Sequence, residues 1–119
     1  MATPFVYHAK AQSTFEPPLI ANENAFLGDL ASSEQNAPEK PISCGFFRLE
    51  RGTPLVYEYT YDEMKIILEG EVTISDATGQ SVQARAGDVF YFPKGSKITF
   101  VTEGGGLAFY TGQRAKEGA

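Results

Sequence analysis

Between Gly52 and Val72 the chain reads GTPLVYEYTYDEMKIILEGEV, and its chemically able side chains crowd into the middle of that stretch. Tyr57, Tyr59 and Tyr61 recur at every second position and are followed by Glu63 and Lys65, again two apart. In extended backbone, side chains two apart share a face, so the phenols form one group and the carboxylate and ammonium another that can meet it across a turn. Such a set does acid/base work: Glu63 or Lys65 moves a proton, while a phenol of Tyr57, Tyr59 or Tyr61 donates a hydrogen bond to developing negative charge. Burying either charge alone is expensive, whereas a pair offsets part of its own desolvation. The competing reading is a structural ion pair, with Glu63 bound to turn amides, Lys65 reaching solvent and the tyrosines serving as strand formers packed by their rings.

Other chemistries lack the residues they need. His8 is the sole histidine and Cys44 the sole cysteine, so an internal disulfide, a thiolate zinc site and a nucleophilic triad all lack partners. His8 reads as a surface or edge residue and Cys44 as a small buried apolar one. PKGSK lacks the strand-to-helix context of a phosphate loop. His8 with Glu58 and Glu63 makes a sparse, oxygen-rich donor set, and a tyrosine joins it only as phenolate, against an ordinary pKa of about 10. No metal and no cofactor are expected. A net charge of -5 with ten Lys and Arg argues against a nucleic-acid partner. The opening MATPFVYHAKAQ has no basic start followed by an apolar run, and no apolar stretch approaches the ~18 residues of a membrane span. A cytoplasmic chain without a membrane partner is the expectation.

The elements that must position this set are strands. The length of 119 residues suits one domain. From Ile42 onward, short aromatic and β-branched runs are cut by Gly or Asp at intervals of roughly 8–12 residues, the spacing of an antiparallel sandwich or barrel. Strands are expected near 43–50, 55–60, 63–69, 71–75, 81–85, 88–92, 97–102 and 106–112. No stretch has the length and apolar period of an ordinary amphipathic helix. Residues 1–40 carry Pro17, Pro18 and Pro38 and read as an irregular extended arm packing on the barrel, with at most one helical turn. Residues 41–113 form the β core and 114–119 a solvated tail. Gly104, Gly105 and Gly106 read as a loop, either a flexible pocket rim or an ordinary hairpin. Edge strands in a sandwich of this size suggest a homodimer.

Two spaced stretches resemble the signatures of the cupin superfamily, an all-β jelly-roll barrel or sandwich with a lumen open at one end. In the first, Glu63 fits the glutamate and Gly70 the closing glycine, with MKIILE between them. In the second, GDVFYFPKGSKI fits from Gly87, and Ile98 stands at the histidine place. With three spacer residues the first pair of histidine places falls on Tyr57 and Tyr59; with four it falls on Val56 and Glu58. The segments SCGFFRLERGTPLVYEYTYDEMKIILEGEVTI and ARAGDVFYFPKGSKITFVTEGGGLAFYT are similar to the EutQ-like cupins, which share Tyr61, Asp62 and Glu63, the LEGE turn, AGDV, PKGS and the missing histidines. The resemblance implies a stand-alone cupin domain without the long N-terminal portion of the bacterial proteins.

In the three-spacer register Tyr57, Tyr59, Glu63, Lys65 and Ile67 face the lumen, and a slip by one residue replaces the tyrosines with Val56 and Glu58. Among Phe90, Tyr91, Phe92 and Phe100, alternation turns half inward, giving an apolar pocket for a small organic ligand. Glu63, Lys65 and Tyr59 are the expected catalytic residues, and Tyr57, Tyr61, Tyr91, Ile98 and Phe100 the substrate-binding ones. The expected function is metal-independent proton transfer on a small metabolite, as in an isomerase, lyase or cyclase. The alternatives are a non-catalytic binding or assembly protein and a metal-dependent cupin with a degenerate, oxygen-rich site.

Overall fold

The computed structural model describes residues 2–119. A single helical turn, α1 (Ala11–Thr14), precedes nine strands: β1 (Leu19–Ala21), β2 (Ala25–Ser32), β3 (Ser43–Leu49), β4 (Leu55–Glu58), β5 (Glu63–Asp76), β6 (Ser81–Arg85), β7 (Val89–Phe92), β8 (Lys97–Val101) and β9 (Gly106–Gly112). They run in the order β1-β2-β3-β9-β5-β8-β4, with β6 and β7 also paired to β5. Every pairing is antiparallel. Among the described residues no helix is long and apolar enough to cross a membrane.

β5 organises the barrel because it serves both walls. Its first half pairs with β7 and β9, placing Lys65 opposite Phe90 and Tyr110; its second half pairs with β6 and β8. The two expected strands at 63–69 and 71–75 are therefore one strand, with a register shift between Ile67 and Glu69. Gly70 makes the continuation possible. Its φ is +74°, and a Cβ there would stand 2.0 Å from the Gly105 carbonyl oxygen. Gly70→Ala is expected to lower stability by about 1–3 kcal/mol, read as a fall in the urea midpoint at unchanged m.

Inside, period-2 alternation delivers Phe47, Leu49, Ile67, Val72, Ile74, Phe92, Phe100 and Tyr110 to one buried cluster. The other strands from 43 onward recur with ends moved by at most two residues. Residues 19–32 differ from an irregular arm: β1 and β2 extend the sheet beyond β3, Leu27 opposite Phe47 and Gly28 opposite Phe46. Gly28 and Asp29 interrupt the apolar pattern there and hide the strand, yet backbone pairing needs no particular side chain.

The end of the chain is a correction. Arg114 is 7% exposed, and its Nη1 and Nη2 each donate to Asp29 on β2 at 2.8 Å. The Glu117 amide also donates to Asp29, and the Lys116 amide to Glu34. The tail docks because this buried carboxylate needs a cation that composition alone does not place. His8 is exposed, while Cys44 is half-buried and not fully enclosed, burial raising its thiol pKa. The loop at Gly104–Gly106 is held by Glu71, whose Oε1 accepts the Glu103 and Gly104 amides. Gly106 lies opposite Gly70, whereas Gly112 lies opposite Glu63, so the loop sits beside the middle of β5, away from the end that carries the candidate site.

Candidate active site

Two turns place the polar set. The Pro93–Ser96 turn exchanges hydrogen bonds with Tyr59 just beyond β4: the Tyr59 amide donates to the Ser96 carbonyl at 2.9 Å and the Gly95 amide to the Tyr59 carbonyl at 2.7 Å. Asp62 pins the reversal into β5, its Oδ1 accepting the Tyr91 hydroxyl and the Lys94 amide at 2.9 and 2.8 Å. Tyr57, Tyr59 and Tyr61 then face the same interior as Glu63 and Lys65, while Val56 and Glu58 are exposed. The three-spacer register is the one adopted.

A cavity of about 180 Å³ opens onto these five residues. Its apolar walls come from Phe47, Leu55 and Phe100, and Ile20, Ala21 and Ala119 border it from the two ends of the chain. Glu63 is 2% and Lys65 3% exposed. The Tyr59 hydroxyl donates to Glu63 Oε2 at 2.5 Å, and Lys65 Nζ lies 3.3 Å from the same oxygen. The Tyr57 and Tyr61 hydroxyls stand 3.0 Å apart. Around Nζ are the rings of Phe47 at 4.4 Å, Phe100 at 4.7 Å, Phe92 at 5.6 Å and Tyr110 at 5.9 Å to their centroids.

This environment fixes the protonation bias. Burial lowers the Lys65 pKa from its ordinary value, opposed by the Glu63 carboxylate. Burial, with Glu63 close by, pushes the Tyr59 phenol far above the ordinary range, and burial with the Tyr57 hydrogen bond does the same for Tyr61. The phenols are therefore held as donors, while the amine is pressed to give up its proton. Glu63 takes its hydrogen bond from a phenol instead of turn amides, and Lys65 turns inward, both unlike the structural alternative, whereas the ion pair itself and the edge-packed rings of Tyr57, Tyr59 and Tyr61 agree with it.

Two expected binding residues lie elsewhere. Tyr91 pairs with Met64, an outward residue of β5, and is 54% exposed, so its hydroxyl serves Asp62 outside the cavity. Ile98 is buried opposite Tyr57 but lines a separate cavity of about 130 Å³ beside Phe90 and Phe92. Phe100 is at the site as expected. Phe47, Phe92 and Tyr110 complete the surroundings of Lys65 without having been singled out for that role, since only the β3–β9–β5 pairing and the β5–β7 pairing bring them together.

The metal that cupins commonly hold does not fit these residues. Tyr57 and Tyr59 occupy the first two histidine places, the Tyr59 phenol resists ionisation, and the Lys65 ammonium sits against the carboxylate an ion would need. Among the described residues no three His, Cys, Asp or Glu side chains converge.

A family model described as the EutQ-like cupin domain matches residues 37–104. The acetate kinase EutQ of Escherichia coli K12 is 34% identical over 87 residues, covering 73% of this chain and 33% of that protein; the chain thus spans about a third of its length. The structure of the EutQ ethanolamine utilization protein of Salmonella typhimurium LT2 superposes with a TM-score of 0.65 at 29% identity, over 77% of this chain and 71% of that one. Ectoine synthase from P. lautus shares the fold alone, with a TM-score of 0.71 at 15% identity over 92% and 78% of the two chains. A barrel that keeps the glutamate of the first cupin signature while phenols stand at the histidine places, matched by that model over most of its strands, makes this chain a member of the EutQ-like cupin family.

Proposed function

We propose that the lumen binds a small organic metabolite and that its own side chains move a proton on it without a metal. The observation carrying this reading is the unbroken run from the Tyr59 hydroxyl through Glu63 Oε2 to Lys65 Nζ, all on the wall of one cavity. At about 180 Å³ the space is smaller than the roughly 300 Å³ at which drug-sized ligand sites begin, which suits a metabolite of a few heavy atoms. Glu63, or the Lys65 amine once it has passed a proton to Glu63, takes a proton from the bound molecule, and the hydroxyls of Tyr57 and Tyr61 stabilise negative charge as it develops. Isomerisation, elimination and cyclisation all share that step.

Thermal-shift screening with small carboxylic acids, phenols and enolisable ketones tests the binding; acetate belongs in it because the curated relative is named an acetate kinase. For each hit, NMR in deuterium oxide follows exchange of its acidic C–H. Exchange catalysed by the unaltered chain and falling to background in Glu63→Gln is the expected result. Catalysis that survives both Glu63→Gln and Lys65→Met refutes the assignment. An assembly role is the second reading, favoured by Met64, Val89 and Tyr91, which lie exposed together on the outer face of β5 and β7. Under it, no member of the screen shifts the melting temperature.

A further inference from the structure

Lys65 is placed for more than proton transfer. A structural ion pair needs only its partner, whereas this ammonium has one anionic neighbour, Glu63, and otherwise faces rings and the cavity. An ammonium carries three protons, so donors remain for a ligand once Glu63 has taken one. Rings in place of water remove the hydration that normally keeps a lysine charged, and desolvation in an apolar pocket is how an amine becomes a nucleophile. Across the same cavity the paired hydroxyls of Tyr57 and Tyr61 can receive a carbonyl oxygen.

We propose that Lys65 is the nucleophile of this pocket and condenses with a small aldehyde or ketone to give an imine. The inference rests on the lumen being the ligand site, and it names both substrate class and bond. Glu63 first accepts a proton from the ammonium. The freed lone pair attacks the carbonyl carbon, forming the C–N bond as the C=O π pair moves onto oxygen, which takes the proton back from Glu63. The resulting carbinolamine transfers a second nitrogen proton to its hydroxyl by way of the same carboxylate. The C–O bond breaks, water leaves, and the nitrogen lone pair completes the C=N bond of a protonated imine. Ammonium and carbonyl compound have become iminium and water, with no oxidant or reductant consumed. The apolar walls at Leu55 and Phe100 favour a carbonyl compound whose remaining substituents are uncharged.

Butanone and propanal are suitable probes. Each is incubated with the intact chain at neutral pH and sodium cyanoborohydride, and the product is read by intact mass and peptide mapping. The expected adduct adds the probe mass less one oxygen, since condensation loses water and reduction returns two hydrogens, and maps to Lys65. Its yield there should exceed that at each of the exposed Lys10, Lys40, Lys94, Lys97 and Lys116 by at least about tenfold, because desolvation among the rings and the adjacent Glu63 base together free its lone pair. Lys65→Arg, which keeps the charge and cannot form an imine, should abolish only that adduct. If the variant does not fold, the mapping on the unaltered chain decides alone. Label spread evenly over surface lysines overturns the proposal. Small molecules that raise the melting temperature and exchange a proton, with no adduct at Lys65, also overturn the imine while leaving the proton-transfer reading intact.

Discussion

Lys65→Met alone should lower the unfolding free energy by about 3–5 kcal/mol, whereas the double variant Glu63→Gln/Lys65→Met should recover most of that loss. Both side chains are almost fully enclosed, so removing the ammonium strands a carboxylate in a medium that solvates it poorly. The Tyr59 hydrogen bond then becomes its main relief. The double variant offers no charge to strand: Gln keeps an acceptor for Tyr59, and Met fills the space between Phe47 and Phe100. Urea midpoints at constant m measure the difference. Equal losses in single and double variants would show that the pair is not coupled in the interior, and the pocket's acid/base chemistry would lose its basis.

The second large effect lies behind the pocket. Arg114→Met is expected to lower stability by about 3–5 kcal/mol, because Asp29 would keep only the Tyr110 hydroxyl and the Glu117 amide. In the intact chain burial would raise the Asp29 pKa, but hydrogen bonds from Arg114, Tyr110 and Glu117 outweigh it and hold the carboxyl at about 2, below its ordinary 3.8. A carboxyl depressed by folding stabilises the chain above its unfolded value. That contribution is lost as the pH falls from 3.8 through about 2. With screening by solvent it amounts to about 1–2 kcal/mol. Urea midpoints taken down this range should show a slope that Asp29→Asn removes. An unchanged slope in Asp29→Asn would assign the acid sensitivity to other carboxylates.

Legibility in the sequence followed the length scale of the interaction. Tyr57, Tyr59, Tyr61, Glu63 and Lys65 could be grouped because their relation is local, a period of two interrupted by one turn. Tyr91 and Ile98 were misplaced for the converse reason. Which half of the FYF run faces inward depends on Met64 lying opposite Tyr91, a register set by a strand 27 positions earlier. Neither Phe47 nor Tyr110 carries a local mark of its place beside Lys65, and Asp29 finds Arg114 at a separation of 85 residues. The absence of histidine from the cupin ligand places was readable at once from the sequence. The arrangement that replaced it, an amine among rings, required the pairing of β3, β9 and β5.

That β5 is common to both walls has a kinetic consequence. Parting either sheet breaks a ladder that anchors the other, so the two are expected to open as a single cooperative unit near the global unfolding limit. Traffic to and from Lys65 then passes through the barrel's end, where Ile20 and Ala119 stand, and never through a seam between the sheets.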